Sequence, residues 1–293
     1  MTDTIDAVSE FNGRPPIVQI SDIHGYLEDA RSALLTVGDT DQHPPVVTVD
    51  DSDTIHWADN DYVLVINGDV IDRGPSNEEA LEMVWRLIAE APSGRVRYHI
   101  GNHEMPILVP EVLNWPNTYS NKMANTQRES FLKRVIEGDV TAAFEGYTHS
   151  YSHAGDNEPF DPQDINERLR TAAERLLDNH EVPEEASIHE EVVDEYGRIF
   201  ELGEMGGRGP SGGLCWMDFK HMEESAPPQV VGHSMRSTPV RKGDVICGNT
   251  IRQNHRSDGG ESVVMETPDE IKFFQRTPDG SVRVEVLESD THG

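Results

Sequence analysis

Five segments that are typical of short buried strands each end in a cluster of polar residues. The clusters are S-D-I-H-G at 21–25, N-G-D-V-I-D-R-G at 67–74, G-N-H-E at 101–104, S-H-A-G at 152–155 and V-G-H at 231–233. In open α/β sheets, the carboxyl ends of the strands converge on the ligand site. The chain is therefore predicted to adopt an α/β fold in which these clusters meet at one place.

The rest of the chain predicts one domain with a helical insertion. Strands and helices alternate up to residue 104, with a small hairpin before the central strand, and acid-rich helical segments follow. These segments lie at about 125–137, 162–180 and 184–202. The chain then returns to strands and ends in an antiparallel meander. We predict a single domain over residues 1–293, with its core at 15–104, 146–156 and 226–288 and a mostly helical cap insertion at about 105–145 and 157–215.

Side chains in the polar clusters provide a set of metal-binding donors. They are Asp22, His24, Asp69, Asn102, His153 and His233. Carboxylate, amide and imidazole groups together suit Mn²⁺, Fe or Zn²⁺ better than Ca²⁺, which prefers oxygen ligands alone. Six donors exceed the needs of one ion. If one carboxylate bridges, the set can hold a pair of ions about 4 Å apart, which is the geometry used for displacement at phosphorus.

The charge of the chain limits its partners and its surroundings. There are 54 acidic residues against 24 Lys and Arg, which gives a net charge of −30. Such an excess opposes compact folding unless salt screens the repulsion, so a salt-rich cytoplasm like that of a halophile is expected. The same charge argues against nucleic acid as a partner, since a nucleic-acid-binding protein needs a basic face.

The sequence also argues against a membrane or secreted location. It has no long apolar stretch, and its first residues lack the basic and apolar regions of a signal peptide, so we predict a cytoplasmic protein without a membrane partner. The two cysteines, Cys215 and Cys247, lack the spacing of a metal or redox motif. They are expected to be buried, reduced thiols.

The order D-x-H-G, G-D-x-x-D-R-G, G-N-H-E, H-A-G and G-H resembles the calcineurin-like metallophosphoesterases. The D-R-G and G-N-H-E forms resemble the phosphoprotein phosphatase branch, and residues 68–88 are most similar to the Shewanella-like, bacterial-type protein phosphatases. The motifs span residues 22–233, which is most of the chain. This resemblance implies an α/β fold of four layers, αββα, in which two sheets pack face to face beneath outer helices.

The resemblance also implies a role for each motif residue. Asp22 and His24 would bind the first of two divalent ions, Asp69 would bridge, and Asn102, His153 and His233 would complete the second site. Mn²⁺ is the first expectation, with Fe or Zn²⁺ as alternatives. His103 would be the general acid, Asp72 would orient it, and Arg73 and Asn102 would bind the substrate phosphate. The implied reaction is hydrolysis of phosphate monoesters by a hydroxide shared between the metals, with phosphoprotein Ser, Thr or Tyr as the first substrate class.

The sequence departs from the family pattern at three positions. Ser21 replaces a glycine, and Met235 stands where other branches have a further histidine ligand. Asp218 stands where relatives carry a second phosphate-binding arginine. Arg208, in the glycine-rich loop 206–213, is the first candidate to replace that arginine, and Lys220 is the second.

Two other functions remain open at this point. Related enzymes with the same metal motifs hydrolyse diadenosine tetraphosphate or other small phosphates and nucleotides. A non-catalytic metal-binding scaffold is the third possibility. Because a scaffold has no need for a proton donor, the presence of both His103 and Asp72 argues against it.

Overall fold

The computed structural model of the chain describes residues 5–207 and 209–287. Its strands are β1 (Ile17–Ile20), β2 (Val47–Val49), β3 (Ile55–Trp57), β4 (Val63–Asn67), β5 (Val96–His99), β6 (Val140–Thr141), β7 (Ala143–Glu145), β8 (Ser150–Ser152), β9 (Gln229–Val231), β10 (Val240–Lys242), β11 (Val245–Cys247), β12 (Ser262–Glu266), β13 (Ile271–Arg276) and β14 (Val282–Val286). Its α-helices are α1 (Leu27–Leu35), α2 (Asn77–Glu90), α3 (Met105–Leu108), α4 (Asn125–Glu137), α5 (Pro162–Asp178), α6 (Glu185–Glu195), α7 (Gly197–Phe200) and α8 (Ile251–Asn254).

A seven-stranded sheet has the order β14-β13-β12-β1-β4-β5-β6. Strands β1, β4, β5 and β6 are parallel, whereas β12, β13 and β14 form the antiparallel meander expected from the sequence. β4 is buried along its whole length, as expected from its apolar residues at 63–66, and it ends in the buried Asn67. Because neighbouring parallel strands end at the same edge of a sheet, the polar clusters after β1, β4 and β5 emerge side by side.

A five-stranded sheet with the order β10-β11-β9-β8-β7 packs face to face against the first sheet. One apolar cluster joins the two sheets, and it includes Ile17, Val63, Val65, Phe144, Tyr151, Val230 and Ile246. Strands β8 and β9 are parallel neighbours, so the polar clusters that follow them also emerge together. The two sheets thus supply three and two of the five clusters.

The outer faces of the two sheets are covered differently. The side chains of β4 alternate between the two faces of its sheet. Val63 and Val65 lie between the two sheets, whereas Leu64 and Ile66 belong to the core under the helices. That core includes apolar residues of α1, α2, α4 and α5. The outer face of the five-stranded sheet is covered by apolar side chains of the segment 217–226, which contains one short 3₁₀ turn.

Most of the expected elements are present. The hairpin before the central strand is the separate two-stranded sheet of β2 and β3, and the three acid-rich helices are α4, α5 and α6. Residues 140–145 differ, because they form β6 and β7, the edge strands of the two sheets, where the sequence pattern placed the cap insertion. Strands of two and three residues have too little alternation to be recognised in a sequence. The division of the whole chain into core and cap stays a prediction.

The described part of the chain contains no helix that is both long and apolar enough to cross a membrane. Both cysteines are free and buried, as expected. Burial raises the pKa of the Cys247 thiol to about 12, so this thiol stays protonated at neutral pH.

Candidate metal centre

The five polar clusters meet where the ends of the two sheets face each other. Backbone hydrogen bonds join the first two clusters, since the N–H of Asp22 donates to the carbonyl of Gly68 at 3.0 Å and the N–H of His24 donates to that of Asp69 at 2.8 Å. The clusters after β5, β8 and β9 add Asn102, His153 and His233. The structure therefore brings together all six side chains named as metal-binding donors from the sequence.

Asp69 lies between two groups of possible ligands. Donor atoms of His24, Asp69 and His103 lie within 4.8 Å of one another, and so do those of Asp69, His153 and His233. The Oδ2 atom of Asp69 is 3.5 Å from Nε2 of His24 and 3.5 Å from Nε2 of His153. A carboxylate shared by two groups in this way is placed to bridge two cations.

Asp22 and Asn102 each lie beside one of these groups. Oδ1 of Asp22 is 3.9 Å from Nε2 of His24, while its Oδ2 accepts a hydrogen bond from the N–H of His233 at 2.9 Å. Oδ1 of Asn102 is 3.2 Å from Nε2 of His153 and 3.0 Å from Nδ1 of His233. Each group thus has an oxygen donor in addition to Asp69.

Backbone carbonyls orient two of the imidazole rings. Nδ1 of His24 donates to the carbonyl of Ile71 at 2.9 Å, and Nδ1 of His153 donates to the carbonyl of Asn67 at 2.8 Å. Because a carbonyl only accepts hydrogen bonds, Nδ1 carries a proton in both rings and Nε2 is the atom presented to Asp69. Metal-binding histidines in proteins are held in the same manner.

The donor set fits divalent cations. Oδ1 of Asp22 is buried and has no hydrogen-bond partner among the described residues. Burial raises the pKa of Asp22 to about 7, so this carboxylate needs a positive neighbour to stay fully ionised at neutral pH. A cation bound next to Asp22 would satisfy both requirements. The mixture of carboxylate, amide and imidazole donors is typical of Mn²⁺, Fe and Zn²⁺ sites.

Burial controls the charge of the imidazoles. It lowers the pKa of His24 to about 3 and that of His233 to about 4, so both rings are neutral and able to coordinate a cation. Burial also opposes the charged forms of Asp69 and His153. Their mutual attraction nevertheless holds the pKa of Asp69 well below its usual range and raises that of His153 to about 10. A bound cation would replace His153 as the positive neighbour of Asp69.

His103 lies beside these groups, but both of its ring nitrogens have other partners. Nδ1 is 2.7 Å from Oδ2 of Asp72, and Nε2 is 3.3 Å from a terminal guanidinium nitrogen of Arg73. The backbone N–H of His103 donates to Oδ1 of Asp69 at 2.8 Å. Although the distance to His24 and Asp69 would also suit a ligand, Asp72 occupies Nδ1 and leaves Nε2 as the atom for proton transfer.

Ser120 is a contact of Asp72 that no sequence pattern indicated. Its backbone N–H donates to Oδ1 of Asp72 at 2.9 Å, and its hydroxyl donates to Oδ2 at 2.8 Å. Burial opposes ionisation of Asp72, but hydrogen bonds from His103 and Ser120 lower its pKa below the usual value. Asp72 therefore stays ionised and holds the ring of His103 in place.

Glu104, the last residue of the G-N-H-E motif, connects the loops that follow β4 and β5. Its buried carboxylate accepts hydrogen bonds from the backbone N–H groups of Asp69 at 2.9 Å, Val70 at 3.0 Å and Gly101 at 2.7 Å. The hydroxyl of Tyr98 donates to it at 2.8 Å. This single carboxylate ties the loop after β4 to the loop after β5, and so fixes the position of Asp69 relative to Asn102.

Two glycines of the motifs are required by the close approach of these loops. A Cβ atom at Gly68 would lie 2.5 Å from Nδ1 of His153, and one at Gly101 would collide with Oδ1 of Asp69. Gly68 also has a φ of +81°, which side chains disfavour. Any larger residue at either position would displace a candidate ligand.

Several side chains of the centre have a strained backbone. The residues with positive φ are Asp22 (53°), His24 (51°), Asp69 (54°), Asp72 (70°), Arg73 (75°) and His233 (57°). They make up six of the ten non-glycine residues with positive φ in the described chain. Each such conformation costs on the order of 1–3 kcal/mol, and such residues cluster at functional sites. This feature indicates a functional site independently of the sequence motifs.

The centre opens into a cavity of about 490 Å³. Arg73 and His103 line it, and Trp115 and Arg252 are two further lining residues that the sequence prediction missed. Met235 also lines the cavity and offers no strong metal-binding donor. No motif near Trp115 or Arg252 indicates a site, so both were recognisable only once the fold had placed them.

Arg208 and Lys220 were the two candidates to replace the second phosphate-binding arginine. Arg208 lies outside the described residues. Lys220 lines the cavity, but its amino group is 3.2 Å from Oδ2 of Asp218. Asp218 also accepts hydrogen bonds from the N–H of Lys220 and the hydroxyl of Ser234. Asp218 and Lys220 therefore neutralise each other at the cavity wall.

Solved structures of phosphatases resemble this fold. A cold-active protein tyrosine phosphatase has a TM-score of 0.62 at 16% identity, over 98% of this chain and 82% of that chain. A cold-active protein tyrosine phosphatase from a psychrophilic Shewanella species has a TM-score of 0.60 at 17% identity, over 97% and 83%. A protein serine/threonine phosphatase from Saccharomyces cerevisiae has a TM-score of 0.51 at 14% identity, over 99% and 85%. At these identities the likeness concerns the fold.

The model of one protein family matches the chain directly. It is the model of the calcineurin-like phosphoesterases, and the match covers residues 15–235, more than half of the chain. The predicted family and fold class are thereby confirmed, and the matched region contains all six candidate ligands. The chain belongs to the calcineurin-like phosphoesterase family, and it is a metal-dependent hydrolase of phosphoesters.

Proposed function

We propose that the protein hydrolyses phosphate monoesters, and that its main substrates are proteins phosphorylated on Ser, Thr or Tyr. The observation that carries this proposal is the position of His103, which lies between Asp72 and Arg73 and beside Asp69 at the wall of the cavity. A proton donor, a phosphate-binding guanidinium and metal-binding side chains thus share one space. This combination supports hydrolysis of a phosphoester.

The six donor side chains are proposed to hold two divalent ions, with Mn²⁺ preferred over Fe or Zn²⁺. The proposed ligands are Asp22 and His24 for the first ion, Asp69 for both, and Asn102, His153 and His233 for the second. When bound, the ions would activate water for attack and compensate charge on the phosphate oxygens.

His103 is proposed to donate a proton from Nε2 to the departing oxygen. Asp72 holds Nδ1 at 2.7 Å, which fixes the ring and keeps a proton on Nδ1. The guanidinium of Arg73 lies 3.3 Å from Nε2, so a phosphate bound by Arg73 would lie next to the proton donor. The amide N–H₂ of Asn102 is proposed to donate to the same phosphate.

Two observations support a phosphoprotein substrate. The cavity is open and large enough to admit a side chain that protrudes from a peptide. The half-buried ring of Trp115 lies 5.1 Å from the ring of His103, so the leaving group would depart along an aromatic surface that suits a tyrosyl or aliphatic side chain. The similar folds described above also include phosphatases named for tyrosine and for serine/threonine.

A substrate panel tests the proposed function. The Mn²⁺-loaded protein is expected to hydrolyse phosphoserine, phosphothreonine or phosphotyrosine peptides, to lose this activity in a chelator and to regain it with Mn²⁺. Diadenosine tetraphosphate and mononucleotides serve as competing substrates, and released phosphate is measured. Faster hydrolysis of the dinucleotide would favour a nucleotide phosphohydrolase, and no hydrolysis of any substrate would favour the scaffold.

The acidic composition leads to a prediction about salt. We propose that the protein works at high salt, because a net charge of −30 opposes the folded state by self-repulsion. The melting temperature should rise steeply between roughly 0.1 and 2 M KCl, as the screening length falls from about 10 Å toward 3 Å and below. Circular dichroism against temperature measures this directly. A melting temperature that stays constant over this range would contradict a halophilic origin.

A further inference from the structure

The cavity has more cationic side chains than the family motifs explain. Arg73 is the guanidinium expected from the motifs, and Lys220, Arg236 and Arg252 also line the cavity. Lys220 is paired with Asp218. The guanidinium of Arg236 lies over the ring of Phe219 at 4.9 Å and donates to the carbonyl of Met235 at 2.9 Å. Two of the three additional cations are therefore already held by other groups.

Arg252 differs from the other two. It is half-buried, and it has no carboxylate, carbonyl or aromatic partner among the described residues. In a chain with 54 acidic residues and 24 Lys and Arg, a carboxylate would readily pair with a cation that has no other use. An unpaired guanidinium that faces a cavity is available for an anionic ligand.

The surrounding structure fixes the position of Arg252. It lies on α8, whose Asn254 side chain donates to the carbonyls of Ser237 at 3.0 Å and Gly260 at 2.8 Å. The ring of His255, just after α8, stacks on Tyr26 with 4.2 Å between the ring centroids. Tyr26 follows the loop that carries His24. The helix is thus attached to the loop that carries His24, and the backbone of Arg252 is held beside the centre by these contacts.

Arg252 and Arg73 line the same cavity, so their positive charges lie near each other. After burial, the charge of Arg252 is the next cause that lowers the pKa of Arg73. Two guanidinium groups that line one cavity and repel each other are stabilised when an anion binds to both. The missing second arginine of the family thus has a possible replacement from a different part of the chain.

We propose that Arg252 and Arg73 together bind the phosphate group of the substrate, and that Arg252 takes the place left by Asp218. This inference rests on the proposed phosphatase function. Each guanidinium would donate to non-bridging oxygens of the phosphate. The reacting phosphorus would then be held beside Asp69 and within reach of His103.

Binding of inorganic phosphate, the reaction product, tests this role without turnover. Calorimetric titration of the Mn²⁺-loaded protein compares the wild type with Arg252→Gln, Arg252→Lys and the control Arg256→Gln. Arg256 is exposed and lies just after α8. Its replacement by glutamine therefore changes the net charge by the same amount as Arg252→Gln, but at a position outside the cavity. Arg252→Gln should weaken phosphate binding on the order of 10-fold or more, because a hydrogen bond between charged groups is lost. Arg252→Lys should recover part of the affinity, and Arg256→Gln should match the wild type.

Folding and metal content are measured in the same variants. The inference requires that Arg252→Gln keeps the wild-type melting temperature and metal content, since it loses only a contact to the ligand. Equal phosphate affinity in the wild type and in Arg252→Gln would overturn the inference. Loss of a metal ion in Arg252→Gln would also overturn it. Both results would leave the proposed function intact. If the metal-loaded wild type bound no phosphate, the inference would be wrong, whereas the proposed function would stand or fall by the substrate panel.

Discussion

Replacing Asp69 by asparagine is expected to remove at least one metal ion and to lower kcat/KM for any phosphomonoester on the order of 10³-fold or more. Asp69 belongs to both groups of candidate ligands, and its Oδ2 atom is 3.5 Å from one imidazole of each group. Asparagine has the same shape but no charge, so both ions would lose their common counter-charge. No other single substitution at the centre affects both groups in this way.

Metal analysis of the purified variant, together with steady-state kinetics, checks this expectation. Asp178→Asn is the matched control, because Asp178 is exposed at the end of α5 and its replacement removes the same charge from the surface. The control should keep the wild-type metal content and activity. An Asp69→Asn protein that still held two ions and kept its activity would show that Asp69 is not the bridging ligand.

Replacing His103 by asparagine should impair substrates according to their leaving groups. A seryl alkoxide needs a proton to depart, whereas the phenolate of p-nitrophenyl phosphate leaves almost unaided. The substitution should therefore lower kcat/KM for a phosphoserine peptide on the order of 10²-fold or more, and that for p-nitrophenyl phosphate distinctly less. The metal content should stay at two ions, because Asn102 and not His103 is the proposed ligand.

Two other roles for His103, as a metal ligand or as a substrate-binding residue, predict different results for the His103→Asn variant. Its donor atoms lie within 4.8 Å of those of His24 and Asp69, so the geometry also permits a role as a ligand. Loss of one ion in His103→Asn would establish that role. Equal losses on both substrates would instead point to a contribution to binding. Asp72→Asn provides a comparison, since it should show the same dependence on the leaving group with a smaller loss.

The sequence was sufficient to predict which polar side chains lie together, because their positions follow a simple rule. Each lies just after a buried strand, and parallel strands end at the same edge of a sheet, so Asp22, Asp69 and Asn102 had to converge. The long helices α4 and α5 were also predictable from their apolar spacing. The edge strands β6 and β7 were not, since two or three residues show no clear period.

The residues that support the centre from a distance could not be predicted. Ser120 reaches Asp72 across 48 positions of the chain, and nothing local to Ser120 marks that contact. Arg252 lines the cavity because α8 is held beside the loop of Asp22 and His24, where His255 stacks on Tyr26. The positive φ angle of Arg73 gives no local signal either, since arginine, unlike aspartate and histidine, is not enriched in this conformation.

Anomalous diffraction from crystals of the Mn²⁺-loaded protein is the most direct test of the central claim, which is a pair of metal ions bridged by Asp69. The account predicts two anomalous peaks, one on each side of the Asp69 carboxylate. One should lie next to Asp22 and His24, and the other next to Asn102, His153 and His233. A single peak, or two peaks of which neither contacts Asp69, would contradict the account.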